Sequence, residues 1–318
     1  MLAAPDAKAT NHSVFIDGEA GTTGLEIRER LARVRGITFR SIATKNRKEP
    51  AARKETMEAA DLVVLCLPDD AAREAVALAD EIGAKAPRIV DASTAHRLAD
   101  GWVYGFPELD QNQAAAIAAA QRVSNPGCYP TGAVALIRPL VEAGLIPADF
   151  PLTINAVSGY SGGGRSMIEA YVAKKAPPFE LYGLELEHKH VPEIERYARL
   201  TQRPLFVPSV GNFRQGMLVS VPLHLDALPG KPKASDLEAA LVGHFTGAKL
   251  VRVVTQAEHA NLKGRVEPEA LNTTDALELY VFANEARRQA VLVARLDNLG
   301  KGAAGAAVAN VKLMLGIA

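Results

Sequence analysis

The residue with the clearest chemical address in this chain is Cys128, in the stretch "SNPGCYPTGA" at residues 124–133. Asn125, Pro126 and Gly127 form a turn that closes a short apolar strand, and Tyr129 and Pro130 open a long apolar run. Proline is tolerated in a first helical turn, where its missing N–H has no intrahelical partner. Cys128 is therefore expected at a helix N-terminus, where the helix dipole favours a thiolate and lowers the thiol pKa. Free cysteine is otherwise among the most buried residue types. Cys66, inside "VVLCL", reads as such an inert core residue.

A thiolate nucleophile needs a base within hydrogen-bond reach. Among the seven histidines, His12, His96, His224, His244 and His259 stand alone and read as surface or satisfied core groups. "ELEHKHVPEIERY" instead holds His188 and His190, with Glu193 close by. On an extended segment the two histidines project the same way, and the carboxylate can orient one imidazole. Either can be the acid/base; His190, nearer Pro192 and Glu193, is favoured. An H-x-H pair also suits a metal, but no second ligand cluster accompanies it, so no metal is expected.

"GEAGTTGLEI" places Gly18, Gly21 and Gly24 between a strand and a helix, with Thr22 and Thr23 at the helix start. Such a turn lets backbone approach a pyrophosphate, which the free N–H groups of the helix then receive. The spacing G-x-x-G-x-x-G is one residue off the commonest dinucleotide fingerprint. After the second strand the chain reads "ATKNRKE", with Lys45, Arg47 and Lys48 and no acid before Glu49. A carboxylate there suits the ribose 2′-hydroxyl of NAD, whereas basic groups suit a 2′-phosphate, so NADP is expected. Two more glycine loops, "SGYSGGGR" and "GNFRQG", carry Arg165 and Arg214, residues suited to carboxylate or phosphate.

The elements that must position these groups alternate strand and helix up to about Cys128. Near-continuous apolar strands such as "DLVVLCL" and "PRIVDAS" predict a parallel sheet covered on both faces, an α/β Rossmann domain. Beyond about residue 150 long strands dominate, as in "GMLVSVPLHLDAL" and "ALELYVFANEA". They predict a mixed or antiparallel sheet in an α+β second domain. The Gly- and Ala-rich C-terminal segment reads as a helix that returns to the first domain. The boundaries expected are 1–127 with 297–318 for the NADP-binding domain, and 128–296 for the second domain, which the family resemblance set out below implies is the catalytic and dimerisation domain.

The 318 residues contain 36 Lys+Arg and 36 Asp+Glu, so no net field draws nucleic acid or an anionic membrane. No run of about 18 apolar residues occurs, so no transmembrane helix is expected. The start "MLAAPDAKAT" has no signal-peptide pattern, and two cysteines are no disulfide framework. A cytoplasmic protein is expected.

The motifs "GEAGTTGLEI", "SNPGCYPTGA", "SGYSGGGR", "HKHVPEIER" and "NLGKGAAGAAVANVKLMLG" together resemble the short type of N-acetyl-gamma-glutamyl-phosphate reductase, of the semialdehyde dehydrogenase superfamily. The resemblance runs over nearly the whole chain. It implies an arginine-biosynthetic enzyme that uses NADP(H), a cysteinyl thioester and an acyl-phosphate substrate, and that forms a homodimer or homotetramer. It further implies substrate contacts from Arg97, Asn125, Ser158, Arg165 and Arg214. Ser93, Asn298, Gly300 and Gly302 would line the nicotinamide side. A related enzyme acting on aspartyl or aminoadipyl phosphate stays open at this level, as does a non-catalytic dinucleotide-binding regulator.

Overall fold

The computed structural model describes residues 11–317. The segment on which the signal-peptide expectation rests, residues 1–10, lies outside the described residues. The first sheet contains β1 (His12–Asp17), β2 (Ile37–Arg40), β3 (Leu62–Leu65), β4 (Arg88–Asp91), β5 (Val103–Tyr104) and β6 (Arg122–Ser124). Its order is β2-β1-β3-β4-β6-β5, and every pair is parallel. All four residues of β3 are buried, as a strand covered on both faces requires. The chain leaves β1 towards β2 on one side and returns to β3 on the other. Ligands of open α/β sheets bind outside the strand ends at such a reversal.

The second sheet has seven strands: β7 (Thr153–Gly159), β8 (Phe179–Leu181), β9 (Leu205–Gly211), β10 (Met217–His224), β11 (Val251–Val254), β12 (Leu277–Asn284) and β13 (Gln289–Leu296). In the order β11-β12-β13-β10-β7-β9-β8, pairs β7/β9 and β11/β12 are parallel and the rest antiparallel. One face packs on the helix Cys128–Glu142, which is buried along most of its length. That helix bridges the two sheets: its first residue lies against Gly302 of the C-terminal segment and its body packs into the core of the second sheet.

The C-terminal segment begins as a π-helical turn, Gly300–Ala304, and continues as the α-helix Gly305–Leu315. Ala304, Ala307, Val311 and Met314 join the core of the first sheet with Val14, Ile16 and Ile27, so the segment does return to the first domain. Among the described residues no helix is long and apolar enough to cross a membrane.

Candidate active site

Cys128 is the first residue of its helix, and Gly127 is the N-cap in extended conformation. No side chain caps that terminus. What fixes the turn is Glu193, which is 1% exposed. Its carboxylate accepts the Gly127 N–H at 2.8 Å, the Tyr104 hydroxyl at 2.8 Å and Arg97 Nη1 at 2.8 Å. Arg97 also donates Nε to the Asn125 carbonyl at 3.0 Å. A buried ion pair, fully hydrogen-bonded, thus clamps the backbone that carries the cysteine. Losing one partner of such a pair costs far more than the pair contributes.

His188 and His190 share with Cys128 a cavity of about 230 Å³, together with Tyr129, Ser158, Gly162, Gly163, Met167, Tyr182 and Lys189. The two rings lie 4.9 Å apart, and His188 Nδ1 accepts the His190 N–H at 3.2 Å. His190 is the N-cap of the helix Val191–Tyr197, not part of a strand. Its Nε2 reaches over the cysteine turn: a Cβ on Gly127 would lie 2.6 Å from it. Burial, with Arg97 and His188 adding to it, holds the His190 pKa well below the usual histidine range. The imidazole is therefore neutral.

Three expectations at this centre are corrected. The helix terminus does not lower the Cys128 pKa: burial pushes the thiol up to about 11, outweighing the opposing pull of Arg97 and the helical N–H groups. At neutral pH the thiol of the free protein is therefore protonated and not a resting thiolate. Glu193 does not orient a histidine, because its carboxylate is spent on Arg97, Tyr104 and Gly127; His190 Nδ1 is buried without a partner among the described residues. Cys66 is not inside a strand. It follows β3 and lines the cofactor cleft, although burial raises its pKa beyond that of Cys128.

The glycine turn sits at the reversal point. Gly18 has φ +90°, and a Cβ there would lie 2.3 Å from the Cys66 carbonyl oxygen. Gly21 caps the helix Thr22–Leu31, with neither a side-chain cap nor an acidic residue in the first turn. A cleft of about 540 Å³ faces this terminus, lined by Gly21, Thr22, Thr23, Cys66, Ala92, Gly164 and Arg165. Next to it, Gly18, Ala20, Ile42, Arg47, Lys48 and Leu67 surround a smaller hollow of about 180 Å³. The nearby carboxylate of Asp17 is taken by Arg53 at 2.7 Å, which leaves basic groups to face a ribose phosphate. An uncapped helix end, a bare glycine rim and a basic neighbour suit a dinucleotide with a 2′-phosphate. Lys45 is exposed beside this hollow without lining it.

Other expected ligand contacts are used by the fold. Asn125 Nδ2 donates to the Ala303 carbonyl at 3.0 Å and its Oδ1 accepts Asn310 Nδ2 at 3.0 Å, so it fastens the cysteine turn to the C-terminal helix. Asn298 accepts the Gly216 N–H and donates to Ser161 Oγ. Ser93 Oγ donates to the buried Asp91 carboxylate, behind the cleft wall. Gly300 is packed on the Thr274 carbonyl and Gly302 on Cys128 itself; a Cβ there would lie 1.9 and 2.9 Å away respectively. Arg97 is committed to Glu193 and Asn125, Arg165 faces the cofactor cleft, and Arg214 is exposed with its carbonyl bonded to Ser161 N. Of the five expected substrate contacts, Ser158 lines the Cys128 cavity and the other four do not. Tyr104, Tyr182 and Lys189 were not singled out by sequence. Nothing in "WVYGFPEL" signals that Tyr104 meets a carboxylate 89 residues away.

Residues 14–117 match the family model for the semialdehyde dehydrogenase NAD binding domain, and residues 128–298 that for the semialdehyde dehydrogenase dimerisation domain. The N-acetyl-gamma-glutamyl-phosphate reductase of a Chelativorans species is 56% identical over 95% of this chain and 97% of its own length. That of Mesorhizobium japonicum is 54% identical over 96% of this chain and 99% of its own. Among solved structures, aspartate semialdehyde dehydrogenase from Francisella tularensis superposes with TM-score 0.72 at 13% identity, covering 96% of this chain and 100% of that one. The Candida albicans enzyme, solved with NADP, gives 0.63 at 13%, covering 96% and 99%. At such identities these two show a shared fold.

Proposed function

The chain belongs to the N-acetyl-gamma-glutamyl-phosphate reductase family, and on that premise we propose that it reduces N-acetyl-γ-glutamyl phosphate to N-acetylglutamate 5-semialdehyde and phosphate, with NADPH, in arginine biosynthesis. The observation that carries the reading is one cavity holding Cys128 and two histidines next to a glycine-lined dinucleotide cleft. His190 takes the Cys128 proton through Nε2, and the sulfur attacks the γ-carbonyl carbon. The carbon–oxygen bond to phosphate breaks, the imidazole returns the proton to the departing oxygen, and a Cys128 thioester remains. Bound NADPH supplies hydride to this carbonyl carbon. Release of the Cys128 sulfur then frees the aldehyde. Glu193, Arg97 and Tyr104 hold the turn in place throughout. Gly18, Gly21, Thr22, Thr23 and Gly24 hold the pyrophosphate, and Arg47 with Lys48 the 2′-phosphate.

Residues 1–127 with 297–318 form the cofactor domain in this reading, and residues 128–296 the catalytic one. The protein works in the cytoplasm as a homo-oligomer. The open face of the second sheet carries an apolar groove of about 670 Å³, lined by Phe179, Leu181, Leu218, Phe282, Val291 and Val293, larger than the Cys128 cavity and remote from its chemistry. A second copy covering this face accounts for its apolar exposure.

The test is NADP reduction in the reverse direction, with N-acetylglutamate semialdehyde plus phosphate beside aspartate semialdehyde plus phosphate. The expected result is turnover strongly favouring the N-acetylated aldehyde. Equal or inverted preference would reject this substrate.

A further inference from the structure

The cavity that holds Cys128 contains one side chain of fixed charge among its lining residues, Lys189. The remaining groups there are hydroxyls, glycines, a thioether, apolar carbons and imidazoles that burial keeps short of protonation. None of the arginines expected at the substrate lines this cavity: Arg97 is 7% exposed and bonded to Glu193 and Asn125, Arg165 lies along the cofactor cleft, and Arg214 is exposed outside it. Lys189 itself forms no ion pair or side-chain hydrogen bond with any described residue and is exposed. Its backbone is fixed, because His190 N–H donates to His188 Nδ1 and Val191 N–H to the His188 carbonyl at 3.0 Å. The cation thus starts from a rigid point between the two histidines that face the cavity.

The substrate of the reaction proposed above carries two anionic groups at opposite ends. The phosphate is attached to the reacting carbon, which must meet the half-buried Cys128. The α-carboxylate sits at the far end of the carbon chain and must lie outward. We propose that Lys189 is the specificity-determining residue that takes this α-carboxylate, and that it selects semialdehydes whose free α-carboxylate reaches the cavity mouth. Asp69, across on the cofactor domain, is bonded to Thr94 through both oxygens and forms no ion pair with Lys189.

This assignment rests on the reductase reading, and the experiment separates the two. Wild type, Lys189→Ala and Lys189→Arg are assayed as purified full chains with N-acetylglutamate semialdehyde, phosphate and NADP. The same aldehyde as its methyl ester is run alongside. A charge-assisted contact contributes about 1.5–3 kcal/mol, so Lys189→Ala is expected to raise the KM for the semialdehyde about ten- to a hundredfold. The kcat and the KM for phosphate stay near wild type, and Lys189→Arg recovers most of the loss. On the methyl ester, wild type and Lys189→Ala become equal. A rise confined to the phosphate KM, an unchanged semialdehyde KM, or an equal loss on acid and ester each overturns the assignment while leaving the reaction standing. Absence of wild-type turnover overturns the reaction and the assignment with it.

Discussion

Two strand-to-helix turns with the same local form do opposite work in this protein. After β1, Gly21 caps a helix with φ −77° and ψ 163°; after β6, Gly127 does so with φ −74° and ψ 153°. Neither terminus has a side-chain cap. The first turn is held by its own backbone, through Gly21 N–H to the Gly18 carbonyl at 3.0 Å and by close packing of Gly18 on Cys66. Its helix end is left open, as a site for phosphate must be. The second turn is tied from outside by Glu193 and Arg97 and, through its own Asn125, to the C-terminal segment, and its terminus carries a thiol instead of a vacant rim. A ligand site is made by leaving donors free, whereas a nucleophile is placed by committing every neighbour that could let it move.

The comparison can be broken first at the base. His190→Asn removes the neutral imidazole over the cysteine turn and is expected to lower kcat about a hundredfold to ten-thousandfold. His188→Asn should act mainly on KM. Steady-state constants in the direction of aldehyde oxidation check both, and a kcat change below tenfold for each would move the base elsewhere.

Next comes the clamp. Glu193→Ala leaves Arg97 buried and unpaired, a change that costs about 3–5 kcal/mol. Thermal unfolding should show a large fall in Tm, and Glu193→Gln a smaller one. The surviving folded enzyme should lose kcat while NADPH affinity changes little. If NADPH affinity falls as far as kcat, Glu193 holds the fold in general and not the cysteine turn.

The glycine turn offers a paired test of smaller size. Gly18→Ala must place a methyl at positive φ, which costs about 1–3 kcal/mol before any clash with the Cys66 carbonyl is counted. At Gly21 the backbone is extended and a Cβ would meet the nearest protein atom at 3.4 Å, an ordinary contact. Gly21→Ala should therefore fold within about 0.5 kcal/mol of wild type and yet raise the KM for NADPH, because the methyl enters the cleft. Equal unfolding curves for the two variants would contradict this division.

How much of this was legible in the sequence follows the same line. The uncapped turns, the nucleophile and the paired histidines announce themselves through residues close in the chain. The roles of Glu193 and Asn125 do not. Glu193 lies a few residues from His190 in sequence, which suggested an orienter. Its partners, Gly127 and Tyr104, are 66 and 89 residues away, and only the packed fold brings them together. The resemblance implies ligand contacts from Asn125 and Arg97, but a buried polar group beside an active site must first satisfy its own hydrogen bonds. The pKa of Cys128 was misjudged for a related reason: the dipole is visible in the sequence and the burial that outweighs it is not.

The smallest expected effect concerns the cofactor's ribose. Arg47 is exposed, and its one side-chain partner among the described residues is Thr44 at 3.1 Å, so its loss should spare stability. Arg47→Ala is expected to raise the KM for NADPH about tenfold, as loss of a charge-assisted contact does, with little change for NADH. Parallel changes for both cofactors would place the 2′-phosphate elsewhere.

The central claim, a covalent acyl group on Cys128, is met most directly by omitting phosphate. With N-acetylglutamate semialdehyde and NADP alone, the thioester can form but cannot be discharged to acyl phosphate. Rapid mixing should then release a burst of NADPH equal to one equivalent per active site. Mass spectrometry of the quenched enzyme should find an N-acetylglutamyl group on the peptide that contains Cys128, none on the Cys66 peptide, and no burst from Cys128→Ser. NADPH formation that waits for phosphate, or a burst that survives in Cys128→Ser, would contradict the covalent account.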